Sequence, residues 1–190
     1  MAPRTSPDAR HLVALTVPDP LAARIGELRR HFARQSRFRI VPHLTLLPPV
    51  AVPGRPEGDA LAQAVHEVAA ETRPFTLTLA GVGYLPGFGY WAVTPEEPLF
   101  DIRHRLREAW RDFGQPDPTA GEPAYRPHVT LVKLGSGRQV DPELLAELAD
   151  RVLGAGWWDV TSLDIHHLPP AGSRYLLAEQ VPLEGAAWGG

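Results

Sequence analysis

The side chains best suited to chemistry lie in two copies of one pattern, Pro-His-apolar-Thr-apolar, at residues 42–46 and 127–131. Successive side chains of a β-strand point to opposite faces, so the His and the Thr of each copy share one face. An imidazole can give or take a proton near neutral pH, and a hydroxyl can donate a hydrogen bond to an anion. Each copy therefore predicts two polar, reactive side chains on a stiff, half-buried strand.

The repetition of this pattern is unexpected for the composition of the chain. With 8 His and 10 Thr among 190 residues, of which 44% are hydrophobic, a shuffled sequence should contain about 0.08 copies of His-apolar-Thr-apolar. One copy alone is equally well explained as an ordinary strand with a hydrogen-bonded His. Two copies favour a shared functional role.

Two imidazoles that converge on one site suit a reaction that needs a base and an acid in the same step. In the hydrolysis of a phosphodiester, one of His43 and His128 would activate water while the other protonates the departing oxygen. The hydroxyls of Thr45 and Thr130 could donate hydrogen bonds to non-bridging phosphate oxygens. Lys133, expected on the same face of the strand as His128, would add a positive charge there. If the strand ends before it, Lys133 is a solvated surface residue.

Metal binding is the main competing use of His, and the sequence argues against it. His-X-Thr offers one good ligand per strand, and neither His-X-His nor His-Glu-X-X-His occurs. His166 and His167 are adjacent, so they should face opposite sides of a strand. Three other His residues fall in predicted helices, at His31, His66 and His104. We therefore expect neither a metal nor another cofactor, and without a Gly-X-Ser-X-Gly elbow a Ser-His-Asp hydrolase is also disfavoured.

The charge and composition of the chain limit its partners. The net charge is −3, with 18 Arg, one Lys and no Cys. That balance argues against broad binding to long nucleic acids, whereas a small phosphate ligand or one end of an RNA is compatible with it. No signal peptide or membrane span is visible in the sequence. We expect a cytoplasmic monomer with no membrane partner.

Hydrophobic periodicity predicts two similar halves, each ordered strand, helix, motif strand, helix, strand. The first motif strand should stop at Pro48-Pro49, with a loop to Gly58, and the glycine-rich segment 81–89 should be a hairpin turn. Predicted helices cover residues 20–34, 59–72, 98–113 and 142–153. Predicted strands outside the motifs cover residues 11–17, 75–79, 90–94, 157–168 and 174–182.

This order predicts an α+β, bilobal fold with pseudo-two-fold duplication. Each lobe would be an antiparallel sheet with helices packed outside, and the motif strands would face each other across a groove. Residues 11–183 would form a single domain, with flexible tails at 1–10 and 184–190. The loop 114–127, just before the second motif, is either a lid or a plain surface connection.

The paired motifs, with the setting Tyr125-Arg-Pro-His-Val-Thr-Leu-Val-Lys133 of the second, resemble the 2H phosphoesterase superfamily. The most similar branch is the bacterial 2′-5′ RNA ligase and RNA 2′,3′-cyclic phosphodiesterase group. The resemblance spans about residues 12–182 and rests on the two tetrapeptides, their prolines and Trp91. It implies metal-independent opening of cyclic phosphates, often to a 2′-phosphate, and possible reverse 2′-5′ ligation. It also implies that His128 activates water, that His43 protonates the leaving oxygen, and that Thr45 and Thr130 clamp the phosphate.

The chain departs from that branch at two places, Lys133, where Arg is common, and the loop at Pro48-Pro49. The substrate is therefore predicted to be either an RNA 3′ end or a small cyclic-phosphate nucleotide. Tyr125 is predicted to bind substrate by stacking on a base, with a core aromatic as the alternative role. The alternative function is a non-catalytic module that binds nucleotides or RNA ends in the same groove. A purely structural role for both motifs is the third hypothesis.

Overall fold

The computed structural model describes residues 9–32, 38–52, 55–85, 87–112, 115–121, 124–133, 141–154 and 156–185. The strands in these residues are β1 Ala9–Thr16, β2 His43–Val52, β3 Phe75–Leu85, β4 Phe88–Thr94, β5 His128–Lys133, β6 Trp157–Val160, β7 Ser162–Leu168 and β8 Leu176–Pro182. The helices are α1 Leu21–His31, α2 Arg55–Glu71, α3 Glu97–Asp112 and α4 Pro142–Leu153. No helix in this part of the chain is both long enough and apolar enough to span a membrane.

The strands form one curled antiparallel sheet in the order β6-β3-β4-β5-β2-β1-β7-β8. The two motif strands, β5 and β2, lie side by side at its centre. We call β6-β3-β4-β5 the first lobe and β2-β1-β7-β8 the second lobe. The predicted α+β, two-lobed fold with a pseudo-two-fold relation is confirmed. The expectation that the motif strands face each other across a groove is wrong, because they pair directly and join the two lobes into one sheet.

The helices are exchanged between the lobes. Helix α1 follows β1 of the second lobe, yet it packs with α4 and contacts β5 of the first lobe. Helix α3 follows β4 of the first lobe, yet it packs with α2 and contacts β2 of the second. Apolar residues at helical spacing bury these faces, with Leu21, Ile25 and Leu28 on α1 and Leu99, Ile102, Leu106 and Trp110 on α3. Each motif strand is therefore supported by a helix that starts in the other lobe.

The predicted strand 157–168 is in fact two strands on opposite sides of the sheet. Strand β6 pairs with β3 at the edge of the first lobe, whereas β7 pairs with β1 in the second lobe. The chain crosses between the lobes at Thr161. The prediction failed because apolar residues continue on both sides of the crossing and no Gly or Pro marks it.

The prediction that the first motif strand stops at Pro48-Pro49 is also wrong, because β2 continues to Val52. Its partner β1 pairs with Leu47 and then with Val50, so both prolines lie in an irregular stretch of the ladder. On the other side, β5 pairs with β2 at Leu44. Proline cannot donate a backbone hydrogen bond, and at these positions no regular ladder bond is lost.

The other helix and strand ends agree with the predicted ones in some places and differ in others. Helix α2 begins at Arg55, before the predicted start. The predicted hairpin in segment 81–89 is confirmed, although β3 and β4 extend through most of its glycines. The predicted cap of the last helix is confirmed, because the Asp141 carboxylate accepts hydrogen bonds from the amides of Glu143 and Leu144.

The structure describes part of the predicted tails and part of the predicted loop 114–127. Residues 9–10 pair with β2, and the amides of Glu184 and Gly185 donate hydrogen bonds to the end of α2, so these residues are ordered parts of the fold. Residues 1–8 and 186–190 lie outside the described residues. Segments 115–121 and 124–127 of the predicted loop contain neither helix nor strand.

Candidate active site at the junction of the lobes

The register between the two motif strands brings both His-Thr pairs together. Within the described residues, β2 and β5 pair at one position, Leu44 opposite Val129. In an antiparallel pair this register sets His43 across from Thr130 and Thr45 across from His128. The intervening apolar residues are buried in the core, so the polar side chains lie on the opposite face of the sheet. The site is a two-fold arrangement in which each imidazole has a hydroxyl from the other copy beside it.

Both motif strands contain the same irregularity directly after the Thr. The β1–β2 register skips Leu46, and the β4–β5 register skips Leu131. An extra residue reverses the alternation of every side chain that follows it. Lys133, an odd number of residues after the second His, is thereby returned to the face of that His and lies opposite Phe88. Lys133 therefore lies on the expected face only because of this irregularity, since regular alternation would place it on the other face. Its contact with substrate stays a prediction.

Each imidazole is oriented by a carbonyl two residues before it. Nδ1 of His43 lies 2.8 Å from the carbonyl oxygen of Val41, and Nδ1 of His128 lies 2.6 Å from that of Arg126. A carbonyl oxygen only accepts hydrogen bonds, so Nδ1 carries the hydrogen in both rings. Nε2 is then the nitrogen that can take a proton from water, and it can return a proton once the ring is charged.

The protein environment favours the neutral form of both imidazoles. Burial lowers the pKa of His43 to about 4, and the nearby charges of Arg29, His166 and His128 act in the same direction against the opposing carbonyl of Val41. Burial also lowers the pKa of His128, against the effect of the carbonyl of Arg126. The influence of His128 on His43 reflects their proximity. Both rings are neutral at pH 7 in the free protein.

Two buried arginines bind the backbone of the motif strands, each from the exchanged helix. Arg29 of α1 donates from Nη2 to the carbonyl of Thr130 at 2.7 Å. Arg103 of α3 donates from Nη1 to the carbonyl of Leu46 at 2.6 Å. These bonds hold the backbone where the strands depart from regular pairing. Neither residue is predictable from sequence, because a buried Arg in a helix has the same sequence signature as a solvated one.

Tyr125 contacts the first motif through its hydroxyl, which donates to the carbonyl of Thr45 at 2.9 Å. Its ring lies under the guanidinium of Arg103, 4.1 Å from the ring centroid, and meets Phe100 edge-on. Burial raises the pKa of the hydroxyl. These contacts fit the core-aromatic alternative and make Tyr125 a link between the lobes, and its stacking on a base stays a prediction.

Two aromatic residues that sequence analysis missed lie beside His128. The ring centroids of Tyr90 and Phe88 lie 5.2 Å and 5.6 Å from that of the imidazole. Tyr90 lies across Gly83 of the neighbouring strand, where a Cβ atom would come within 2.4 Å of the phenol ring. Glycine at position 83 therefore leaves room for the ring. The available signal was the alternation of Phe88 and Tyr90 in the strand that follows the glycines.

A third His, His166, lies on the other side of His43. It is buried, and its Nε2 lies 3.0 Å from Oγ1 of Thr16, whose amide donates to the carboxylate of Asp164. The expectation that His166 and His167 face opposite sides is confirmed, since His167 stacks on His11. Among the described residues, no group of three or more potential ligands is placed to hold a metal ion.

Acid should destabilise the fold partly through His43. Its pKa is about 4 in the folded protein against an ordinary 6.5, so between these values the unfolded chain binds more protons. The contribution of the neutral His43 ring to the free energy of unfolding is therefore fully present above pH 6.5 and is lost as the pH falls toward 4. In urea unfolding, the free energy of unfolding of His43→Gln should rise by about 3 kcal/mol relative to that of wild type as the pH falls from 7 to 4. His104→Gln, an exposed change on α3, is the control, and a constant difference between His43→Gln and wild type across this range would contradict the assignment.

Two lobes that each contribute a His-apolar-Thr-apolar strand to one site define the 2H phosphoesterase class. The family model of the 2′-5′ RNA ligase superfamily matches residues 17–168. The chain belongs to that superfamily, and the resemblance inferred from the motifs is confirmed.

Solved structures show the same fold at low sequence identity. TT0787 of Thermus thermophilus is 22% identical, with a TM-score of 0.71 over 94% of this chain and 100% of that one. E. coli LigT complexed with 3′-AMP is 21% identical, with a TM-score of 0.66 over 92% of this chain and 97% of that one. A protein described only as a phosphoesterase is 20% identical, with a TM-score of 0.68 over 93% of this chain and 98% of that one. No curated protein matches the chain significantly.

Proposed function

We propose that the protein hydrolyses a 2′,3′-cyclic phosphodiester, on an RNA end or a nucleotide, to a 2′-phosphate without a metal ion. The observation that carries this proposal is the register of the motif strands, which sets two imidazoles and two hydroxyls around one point. The oxygen of water bonds to phosphorus and gives a proton to one imidazole. The bond from phosphorus to the 3′ oxygen breaks, and that oxygen takes a proton from the other imidazole.

In this proposal His128 is the base and His43 is the acid. His128, with Nδ1 bonded to a carbonyl and its pKa lowered, presents a neutral Nε2 to water. The pKa of His43 is lowered to about 4, so this ring needs the negative charge of the bound phosphate to become protonated. Once protonated it is a strong donor to the leaving oxygen. If the 5′ hydroxyl group of a second strand takes the place of water, its oxygen bonds to the phosphorus of the cyclic phosphate, its proton goes to one imidazole, and the 3′ oxygen leaves with a proton from the other. The product is a 2′-5′ phosphodiester, which is the proposed ligation.

The hydroxyls of Thr45 and Thr130 would donate to the non-bridging oxygens, where negative charge develops in the transition state. Arg29, buried beside His43, and Lys133, on the face of His128, supply positive charge on the two sides of the junction. A nucleotide substrate is supported by the structures of E. coli LigT complexed with 3′-AMP, ATP and NADP+.

The position of Lys133 predicts a modest role in binding the phosphate. Lys133→Met should raise the KM for a cyclic nucleotide about fivefold, because an exposed charge contributes little more than 1 kcal/mol. Lys133→Arg should keep the wild-type KM within a factor of two. An unchanged KM in Lys133→Met would contradict the proposed contact.

The proposed reaction is tested by incubating the protein with each 2′,3′-cyclic nucleotide, and with an RNA ending in a cyclic phosphate, in excess chelator. Phosphorus NMR then identifies the product. We expect turnover to a 2′-phosphate that resists the chelator. Turnover abolished by the chelator and restored by a divalent metal would contradict the metal-independent mechanism. Binding without turnover of any substrate would instead support a nucleotide-binding module.

A further inference from the structure

A pocket of about 600 Å³ opens beside the first motif and is rich in arginine. We call it the arginine pocket. It is lined by the side chains of Arg29, Arg30, Arg39, Arg174, Phe38 and Tyr175, among others. No Asp or Glu is among the described residues that line it. In a chain with net charge −3, this is a local concentration of positive charge.

Within the part of the chain that the structure describes, no carboxylate forms an ion pair with the arginines of this pocket. Arg30 and Arg174 are exposed, and neither forms an ion pair with a described residue. Arg29 is 7% exposed, its Nε has no hydrogen-bond partner, and its Nη groups bind only carbonyl oxygens. By contrast, four exposed or half-buried arginines elsewhere on the helices are paired with acids, namely Arg105, Arg107, Arg111 and Arg151. The arrangement is that of a site for an anion.

The walls of the arginine pocket are held by backbone bonds. Arg39 donates from Nε to the carbonyl of Ser173 at 2.9 Å and from Nη2 to that of Gly172 at 3.1 Å. The amide of Tyr175 donates back to the carbonyl of Arg39 at 2.7 Å. Arg29 lies on the ring of Phe38, 3.8 Å from its centroid. The pocket is therefore preformed, with aromatic and guanidinium planes in one place.

The arginine pocket is continuous with the candidate active site. Val41 lines the pocket, and its carbonyl is the acceptor that orients His43. Arg29 lines the pocket as well, and it bonds to the backbone of Thr130. A ligand that spans both would place one phosphate on the His-Thr pairs and another among the arginines.

We propose that the arginine pocket binds a phosphodiester group of a single-stranded oligonucleotide whose cyclic-phosphate end occupies the His-Thr site. This inference rests on the proposed function and decides between its two substrates in favour of an RNA end. Arginine forks suit the phosphate oxygens, and the half-buried ring of Tyr175 offers a stacking surface for a base. The small site at the junction alone would not distinguish an oligonucleotide from a mononucleotide.

The test compares kcat/KM for three substrates that share the cyclic phosphate. They are 2′,3′-cyclic AMP, its 5′-phosphorylated form and a pentanucleotide ending in the same group. We expect the pentanucleotide to be preferred, and the ratio of its kcat/KM to that of cyclic AMP to fall about tenfold in the double variant Arg30→Gln/Arg174→Gln. The decline of log kcat/KM with log salt should also become shallower in that variant. The double variant Arg111→Gln/Arg151→Gln removes the same charge elsewhere and should keep the wild-type ratio.

Three outcomes would overturn the inference. They are an equal kcat/KM for cyclic AMP and the pentanucleotide, an equal loss of the ratio in both double variants, or a full preference already present with the 5′-phosphorylated mononucleotide. Binding of a labelled pentanucleotide ending in a 3′-phosphate, followed by anisotropy, separates this inference from the proposed function. Failure of the wild-type protein to turn over any cyclic phosphate would contradict the proposed reaction. Binding weakened by Arg30→Gln/Arg174→Gln would still support the pocket.

Discussion

Replacing either His43 or His128 with alanine should lower kcat for a 2′,3′-cyclic nucleotide by a factor of about 10³, because each ring moves a proton in the same step. The two rings act as a unit, so the double variant should be little worse than either single variant. Both side chains are half-buried on the groove face, outside the apolar core. Their removal should therefore leave the folded structure intact.

Two control measurements accompany that experiment. Thermal unfolding verifies that each variant is folded, which a purely structural role of the motifs would not allow. His66→Ala, an exposed change on α2, is the matched control and should retain wild-type kcat. Wild-type turnover in either His43→Ala or His128→Ala would refute the assignment of that ring.

Replacing Thr45 or Thr130 with valine should lower kcat by a factor of about 10² in each case, because one hydrogen-bond donor to the developing charge is lost. Valine keeps the β-branched shape and the strand preference of threonine, so the strand should be retained. The loss should fall on kcat more than on KM, since the negative charge on phosphate oxygens grows toward the transition state.

The control for the threonine variants is Thr76→Val, an exposed change on β3 that removes a hydrogen bond to Asp159. It should leave kcat unchanged. A loss confined to KM in Thr45→Val and Thr130→Val would show that the hydroxyls hold the ground state only. Unchanged kinetics in both would mean that they do not touch the phosphate.

The pair of His-Thr motifs was predictable from sequence because strand alternation is local. Alternation sets the His and Thr of one copy on one face whatever surrounds them. The neutral tautomer also depends on short-range geometry, since the accepting carbonyls belong to residues two positions earlier. The repeat predicted that the two copies share one site, but it predicted motif strands that face each other across a groove. In the structure the two strands pair directly, with Leu44 opposite Val129.

The features that hold the motif strands in place were not predictable from sequence, because they depend on contacts between residues that lie far apart in the chain. Arg29 and Arg103 bond to strands from helices exchanged between the lobes, and helical periodicity does not indicate which lobe a helix covers. The irregular pairing after each Thr is likewise a property of two strands together. It determines the side of the sheet on which Lys133 lies, which regular alternation would assign to the opposite face.

The outer strands show the same limit. The repeat of strand, helix, motif strand and helix holds for β1-α1-β2-α2 and β4-α3-β5-α4. Beyond these units the two lobes have corresponding strands in the sheet but not in the order of the chain. Strands β3 and β6 complete one lobe, whereas β7 and β8 complete the other. The sequence pattern of a strand does not specify its neighbours. Residues 157–168 were therefore assigned to one strand instead of two.

The most direct test of the acid-base pair is the pH dependence of kcat/KM, which reports the ionisation of the free protein. Reaction requires one neutral and one protonated ring, and the pKa values of both His43 and His128 lie below the ordinary 6.5. We predict a bell-shaped profile with its maximum on the acid side of pH 6.5, and a maximum of kcat at higher pH, because the bound phosphate raises both pKa values. The pH profile of the residual activity of His128→Ala should lack the decrease at low pH, because the base is missing. The profile of His43→Ala should lack the decrease at high pH, because the acid is missing. A kcat/KM that stays flat from pH 5 to pH 8 in wild type would contradict catalysis by the two histidines.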